Sequence, residues 1–448
     1  MKRLAGLAVL FTIMLPAGAL AADLGVNGTT LFRFRQQSTP DSPKKNLAPA
    51  TQYLGLDAGG LADANLSFHL YGWGRVDLAD ESPVDGRTSG DIGYGYLRYH
   101  FPKANAEIKA GRFFVVEGVA NEQVDGVSAR SDLAAGLTLS LYGGAPAAMD
   151  VERDARGDFL AGARLSYKFA GKGEIGLSTL FTGKSPSRQV VGGTTLQTVE
   201  NQRQLVGGDI WLAPLPILEL TGRTAYNSAT SSVAEHDYTL TLKPAKIVTA
   251  TATFAERRMK GLYSGTNLPF LFDQFAGDKV RTYSGSISVA VAKPLELTAD
   301  YRHTRRDSYG SSDRYGVEAR ATASALMAKA GISYHRIDAA DVRNTTGAII
   351  PAYGLSHHEL RGWLLHEHGK HNVSLDAIGY FYDNRTNPNL NGKSSSYEII
   401  ASAGYRVLPT LMISGDVSYG ANPLYNDEFK GLVRAEFSFS TTGKGGNK

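Results

Sequence analysis

The segment LKPAKIVTATATFAE (residues 242–256) decides the fold, because apolar and polar side chains alternate along it. Its apolar positions share one side and are Val248, Ala250, Ala252 and Phe254. Its polar positions share the other side and are Thr249, Thr251 and Thr253. The segment AKPLELTADYRHTR (292–305) repeats the pattern. Successive side chains of a β-strand point to opposite faces, so both segments are predicted to be strands with one apolar and one polar face.

The same alternation recurs along the whole chain and predicts twenty-two strands. The candidates lie near 24–35, 51–58, 64–79, 91–101, 106–117, 125–133, 136–144, 158–169, 174–183, 203–213, 217–228, 234–243, 246–257, 280–292, 295–306, 312–322, 325–337, 355–366, 371–383, 396–407, 410–420 and 427–439. So many strands could share a dry core only in a very large sandwich, whereas a closed barrel removes every exposed edge.

The connections between these strands alternate between tight turns and long polar segments. The tight ones are 101–105, 170–173, 213–216, 243–244, 293–294, 368–370 and 408–409. The long ones include 184–202, 258–279, 338–354 and 384–395. Short turns at one end and long loops at the other are typical of outer-membrane barrels. We therefore predict an all-β, transmembrane, antiparallel up-and-down β-barrel of about 20–22 strands, with short periplasmic turns and longer extracellular loops.

The first 21 residues have the layout of a cleavable signal peptide. Lys2 and Arg3 precede an apolar run at 4–15, and small residues occupy positions 19 and 21. We expect residues 22–448 to form a single barrel domain in the outer membrane. The chain has no cysteine, which excludes a thiol nucleophile, a cysteine-ligated metal and a C-x-x-C-H haem attachment in this chain. A formal net charge of +4 does not favour a nucleic-acid partner.

Charged and polar side chains on the polar faces of several strands are predicted to line the lumen. These candidates are Arg33, Arg35, Arg75, Asp77, Asp300, Arg302, His357, Glu359, Arg361, Arg434 and Glu436. A ring of arginines would favour anions. Because carboxylates share the same faces, a mixed ladder of cross-strand pairs is the favoured interpretation.

The sequence carries no recognised catalytic or metal-binding motif. Five of the ten histidines lie in LSHHELRGWLLHEHGKH (355–371), yet their spacing does not match H-E-x-x-H, and no metal site is predicted. The sequence holds no G-x-S-x-G elbow, P-loop or dinucleotide fingerprint. We therefore predict that the chain is not an enzyme.

Two segments, LRYHFPKANAEIKAGRFF (97–114) and DGVSARSDLAAGLTLSLYGG (125–144), resemble bacterial outer-membrane porin-like barrels. The chain is also similar to the porin-like component of porin–cytochrome conduits. The resemblance implies contact with outer-membrane lipid and with the outer-membrane assembly machinery. It also implies no cofactor in this chain, and haem only through a multihaem cytochrome partner.

Two functions follow as expectations. The first is a diffusion channel for small solutes; the second is a sheath that houses a multihaem c-type cytochrome for electron transfer across the membrane. A channel predicts a long loop folded inward, and 258–279 is the candidate because its segment GTNLPFLFDQF (265–275) is apolar. That segment could equally cap neighbouring loops. A sheath predicts a wide, unobstructed lumen.

Overall fold

The computed structural model describes residues 23–39, 42–80, 87–147, 159–169, 171–183, 187–191, 195–199, 203–258, 279–307, 310–340, 355–383, 390–423 and 427–442. The predicted signal peptide and the segment 265–275 lie outside these ranges. Within the ranges, no helix is long and apolar enough to cross a membrane.

In the ranges that the structure describes, alternating residues form 25 strands. They are β1 (Asp23–Thr39), β2 (Ser42–Leu47), β3 (Pro49–Gly59), β4 (Leu66–Asp77), β5 (Thr88–Phe101), β6 (Ala106–Glu117), β7 (Ala120–Asp132), β8 (Leu137–Pro146), β9 (Phe159–Phe169), β10 (Gly173–Gly183), β11 (Ser187–Val191), β12 (Thr195–Val199), β13 (Arg203–Leu215), β14 (Leu218–Asn227), β15 (Ser232–Ala245), β16 (Val248–Arg258), β17 (Lys279–Ala292), β18 (Leu295–Arg306), β19 (Gly310–Ala323), β20 (Ala328–Ala339), β21 (His357–His368), β22 (His371–Tyr382), β23 (Ser395–Leu408), β24 (Leu411–Ala421) and β25 (Glu428–Thr442). Three short 3₁₀ turns, at Pro102–Ala104, Ala134–Gly136 and Ser324–Leu326, join strands.

The strands close into one barrel. Each wall strand pairs antiparallel with its neighbours along the chain, and β25 returns to β1 through a ladder from Asp23–Thr442 to Gln36–Phe429. The short β2 pairs with the end of β1 that follows the part paired with β3, so β2 and β3 together make one position in the wall. The strands β11 and β12 form a separate hairpin. The other strands give a wall of 22, which confirms the predicted barrel and strand number.

All twenty-two predicted segments fall on separate wall strands, with shifted ends in places. The segment predicted at 125–133 begins earlier, at Ala120, because a tight turn at 118–119 replaces the expected longer connection. Pro244 was predicted to mark a turn, but β15 continues through it and the turn follows at 246–247. The ladder to β16 is irregular between Leu242 and Ala245. A regular ladder hydrogen bond is therefore not required from Pro244, which has no N–H.

The barrel has a short-turn end and a loop end. The short-turn end holds two-residue turns such as 293–294 and 369–370. Much of the loop end, including 259–278 and 341–354, lies outside the described residues. Loop-end connections such as 118–119 and 228–231 are themselves tight, which differs from the strict alternation predicted.

Candidate functional site: the lumen and its inner hairpin

The apolar positions of the strands form the outer face of the barrel. In the ladders from β17 to β21, Ile287, Ala299, Val317, Tyr334 and Leu360 are successive neighbours on this face. Their large side chains are exposed, and Val317 reaches 58%. An exposed apolar surface that encircles a closed barrel suits a lipid environment. The opposite face of every strand therefore lines the lumen.

Aromatic side chains form a band at each end of the outer face. The band at the loop end includes Tyr226, Tyr283, Tyr301, Tyr315, Tyr334, Phe381, Tyr397, Tyr419 and Phe429. At the short-turn end it includes Phe101, Tyr167, Tyr405 and Phe439. Tyr397 and Tyr405 are eight residues apart on β23, about 26 Å along the strand and about 20 Å in height for a 40° tilt. This spacing is close to that of the aromatic girdles of membrane barrels.

The ladder register places all the lumen candidates on the lumen face. These residues are Arg33 and Arg35 on β1, Arg75 and Asp77 on β4, Asp300 and Arg302 on β18, His357, Glu359 and Arg361 on β21, and Arg434 and Glu436 on β25. They are distributed around the barrel and do not converge on one site. The wall is thus polar over a large part of its circumference.

Most of these candidates form ion pairs. The pairs are Arg35–Glu428 (2.5 Å), Arg75–Asp77 (2.6 Å), Arg361–Asp376 (2.5 Å) and Arg434–Glu436 (3.5 Å). Among the described residues, Arg33 and Arg302 have no carboxylate within 4.0 Å. The arrangement is therefore the mixed ladder of charges, and two arginines keep a free guanidinium in the lumen.

One four-residue cluster spans β18 to β21 on the lumen face. Asp300 accepts hydrogen bonds from Arg314 Nη1 (2.7 Å) and His335 Nε2 (2.9 Å). Glu359 Oε1 lies 3.3 Å from His335 Nδ1 and 3.9 Å from Arg314 Nη2. No group of three or more metal-ligating side chains occurs in the part of the chain that the structure describes. The cluster joins four neighbouring strands by charge.

The tip of the β6–β7 hairpin, residues 113–124, leaves the wall, and we call it the inner hairpin. Along the described strands, the β5–β6 ladder stops at Gly95–Arg112. The β7–β8 ladder ends at Val124–Pro146, followed by one more backbone bond from the Ala147 N–H to the Gln123 carbonyl oxygen (2.9 Å). The bend lies beside Gly111, which has φ +127°, a conformation that L side chains rarely adopt. A Cβ at this position would also contact the carbonyl oxygen of Gly95.

The inner hairpin packs an apolar face onto the lumen wall. Its buried side chains are Phe113, Val115, Ala120 and Val124. They cluster with lumen-face residues of six strands, namely Tyr142, Leu160, Leu180, Leu205, Ala225 and Ala234. Full burial of a Val or Phe side chain contributes about 1.5–3 kcal/mol. This cluster is the apolar core of the molecule, and it lies inside the barrel at the loop end.

Polar contacts hold the tip of the inner hairpin in register. The Val119 N–H donates to Ser178 Oγ on β10 (3.0 Å). Arg203 Nη2 on β13 donates to Glu122 Oε1 (2.6 Å). Gly118, at φ +58°, leaves no room for a Cβ beside Ser178. The hairpin is therefore docked by both packing and hydrogen bonds.

An ion pair closes the wall where the inner hairpin departs. Arg112 Nε and Nη2 donate to the two carboxylate oxygens of Asp125 on β7 (2.7 and 2.8 Å). Arg112 Nη1 donates to the carbonyl oxygen of Ile92 on β5 (3.1 Å). These contacts bridge β5, β6 and β7 at the level where the regular ladder ends.

Sequence reasoning did not identify the inner hairpin, although a signal was present. Residues 113–116 read FFVV, so both faces of this strand end are apolar. A wall strand with a polar lumen needs only one apolar face, so a second apolar face indicates packing inside the barrel. In the structure, Phe113 and Val115 are buried, whereas Phe114 and Val116 on the other face are exposed. The loop predicted to fold inward, 258–279, lies almost entirely outside the described residues.

Solved structures with a similar fold are outer-membrane β-barrels. A double mutant of the ferric enterobactin receptor PfeA from Pseudomonas aeruginosa matches with a TM-score of 0.58 and 11% identity, over 92% of this chain and 80% of that chain. A single mutant of PfeA in complex with enterobactin gives 0.58 and 12% identity over 92% and 81%. The P pilus usher PapC translocation pore gives 0.45 and 10% over 93% and 98%.

No protein-family model matches the sequence, and no curated protein matches it. At identities of 11–12% and TM-scores of 0.58, the likeness to PfeA establishes the fold. The chain has the closed, porin-like barrel fold of outer-membrane proteins.

Proposed function

We propose that this barrel lies in the outer membrane and forms a passage for small hydrophilic solutes, narrowed at its loop end by the inner hairpin. The observation that carries the proposal is the docking of residues 113–124 on the lumen wall. A channel needs a constriction to discriminate between solutes, and a structural sheath does not. The long apolar outer face and its two aromatic bands support insertion in a membrane.

The lumen wall has the chemistry expected of an aqueous passage. Opposite the inner hairpin, the strands present hydroxyls and paired charges, such as Ser288 with Thr298 (2.8 Å) and Arg361 with Asp376. Paired charges hold water while keeping the local field small, so they suit solutes of either sign. We assign no catalytic activity to the chain.

The second candidate is a sheath around a multihaem c-type cytochrome, and the width of the barrel favours it. Barrels of 22 strands enclose a lumen that is plugged in outer-membrane transporters. The described inner hairpin covers the lumen face of β8 to β15, whereas the walls from β16 to β25 have no described cover. A partner that fills this space would supply the haem, since this chain has no cysteine to attach it.

Conductance across a planar bilayer tests the first candidate directly. The full chain, purified from its outer membrane, is expected to be colourless and to give steady, ohmic steps. Haem absorption in stoichiometric amount, with no conductance, would overturn the channel and establish the sheath.

The inner hairpin can be tested by crosslinking, because the natural chain has no cysteine to interfere. Val119→Cys with Ser178→Cys places thiols on two residues that lie in contact, since the backbone N–H of Val119 donates to Ser178 Oγ at 3.0 Å. We expect a disulfide to form on oxidation, with conductance unchanged. The control, Val119→Cys with Ser286→Cys on the lumen face of β17, should not crosslink. Crosslinking of the control pair alone would contradict the docked position.

A further inference from the structure

Basic side chains cluster on the outer face at the loop end of three adjacent strands. Ladder neighbours place Arg258 opposite Lys279 and Arg281 opposite Arg305. The alternation from exposed Tyr283 assigns them to the outer face, just beyond the aromatic band. We call these four residues the basic rim.

The basic rim is only partly neutralised. Glu256 accepts from both Lys279 Nζ (2.9 Å) and Arg281 Nε (2.7 Å). Asp313, on β19, already accepts hydrogen bonds from Tyr301 and His303. The carboxylate of Asp307 attracts Arg281 electrostatically at longer range.

Two guanidinium groups of the basic rim have no ion-pair partner among the described residues. In the described part of the chain, Arg305 is exposed without a carboxylate within 4.0 Å, and Arg258 Nε is buried without a hydrogen-bond partner. A guanidinium next to lipid, without a carboxylate, favours a phosphate oxygen.

An apolar groove lies below the basic rim on the same strands. It has a volume of about 390 Å³. Its floor is made by small residues, Ala250, Ala252, Gly285 and Ala299. Leu240 and Ile287 rise on either side, with Tyr301 nearest the rim. A Cβ at Gly285 would meet nothing closer than 3.7 Å, so the groove is open at this point.

The height from the basic rim down to the groove, measured along the membrane normal, matches the thickness of one leaflet. Six residues separate Arg281 from Ile287, which is about 20 Å along the strand and about 15 Å in height for a 40° tilt. Half of a hydrocarbon core of about 30 Å is also about 15 Å. A chain anchored at the basic rim would therefore follow the groove towards the middle of the membrane.

We infer that the outer face of β15 to β18 binds one phosphorylated lipid of the loop-side leaflet, with its phosphate on the basic rim and an acyl chain in the groove. The inference rests on the proposed membrane placement and goes beyond the passage function. The cations supply charge complementarity, and the groove supplies a surface that only a lipid, not a free phosphate, would use.

Binding to purified, delipidated barrel tests the inference, with native mass spectrometry as the readout. The probes are diphosphorylated lipid A, the same lipid without its phosphates, and inorganic phosphate. For the double variant Arg258→Gln/Arg305→Gln, we expect the Kd for the phosphorylated lipid to rise about 25-fold, because each cation near a membrane surface contributes about fivefold to the affinity. The matched control is Arg33→Gln/Arg302→Gln, which removes two unpaired guanidiniums from the lumen face and should leave the Kd unchanged.

The groove is tested separately by Gly285→Leu, which should weaken lipid binding and leave the basic rim intact. Equal binding of the dephosphorylated lipid, or equal weakening by the lumen control, would overturn the inference. So would displacement of the lipid by inorganic phosphate with no effect of Gly285→Leu, because the site would then be an anion site only. Conductance of the rim variant separates the two proposals, since loss of lipid binding with conductance intact leaves the passage function standing.

Discussion

Adjacent residues of one strand meet different surroundings in this fold, and Ala250 and Thr251 on β16 show the consequence. Ala250 lies on the outer face in the apolar groove, four residues from the aromatic side chain Phe254. Thr251 faces the lumen between Thr241 and Ser286. A charge near the middle of the membrane costs about 2–4 kcal/mol on the lipid face and little in an aqueous lumen.

We therefore expect Ala250→Lys to lower the free energy of unfolding by about 2–4 kcal/mol and Thr251→Lys by less than about 1 kcal/mol. Urea unfolding in lipid vesicles, followed by tryptophan fluorescence, measures both. Equal losses at the two positions would show that the faces are assigned wrongly.

A second residue-scale prediction concerns Asp383, which follows β22 at the loop end. Arg336 on β20 donates to both of its carboxylate oxygens, one at 2.9 Å, and so bridges over β21. This guanidinium holds the pKa of Asp383 below its ordinary value. A lowered pKa stabilises the fold above the usual carboxyl range and loses this effect as the pH falls through the folded-state pKa.

Asp383→Asn should thus be less stable than the natural chain at pH 7, by about 0.2–1 kcal/mol for an exposed pair. The difference should shrink below about pH 4. Paired unfolding curves at neutral and acidic pH provide the check, and a difference that grows on acidification would refute the assignment.

At this scale, the sequence predicts the face of a residue better than its partner. Alternation was enough to put Asp300 and Glu359 on the polar face. It could not reveal that His335 and Arg314 join them, because that depends on the mutual register of four strands, β18 to β21.

At the scale of elements, the inner hairpin depends on a backbone conformation that glycine provides. Gly111→Val would place a β-branched side chain at φ +127° and against the carbonyl oxygen of Gly95. We expect the bend to fail and residues 113–124 to leave the lumen face of β8 to β15, since such conformations cost about 1–3 kcal/mol.

The measurable result of Gly111→Val is a larger and noisier single-channel conductance in planar bilayers. The control is Gly431→Ala on β25, where a Cβ meets nothing within 4 Å and φ is ordinary. It should conduct like the natural chain. A Gly111→Val barrel with natural conductance would mean that the inner hairpin does not narrow the passage.

Strand existence was predictable and the inward bend was not, for a physical reason. Period-2 alternation reports which two environments a strand separates, so wall strands such as β16 and β18 are evident. Residues 113–124 are also extended, but their partners are the lumen faces of β8 to β15, which are distant in sequence. Only the second apolar face at 113–116 indicated that this strand end packs an apolar face inside the barrel, and the structure buries Phe113 and Val115 there.

At the scale of the whole molecule, closure was predictable because alternation and turn spacing act together. An even number of antiparallel strands returns the last strand beside the first, as the β1–β25 ladder shows. What occupies the lumen follows from no local pattern. It depends on how side chains from opposite walls face each other, and on long connections such as 259–278.

The charges of the whole lumen wall predict weak ion selectivity. Most lumen arginines are paired with carboxylates, so their fields largely cancel, and Arg33 and Arg302 are the unpaired cations among the described lumen candidates. With a KCl gradient across a planar bilayer, we expect a reversal potential near zero, shifted slightly in the direction of anion preference.

Reversing both unpaired charges in Arg33→Glu/Arg302→Glu should move the reversal potential to the cation-selective side, because it replaces two positive charges on the lumen face with two negative ones. The matched control, Arg258→Glu/Arg305→Glu, makes the same charge change on the outer face and should leave the reversal potential in place. If the outer-face variant shifts selectivity as strongly as the lumen variant, ions do not pass through the barrel. If neither variant shifts it, the current follows a path that these arginines do not line, and the assignment of the lumen as the conducting passage is wrong.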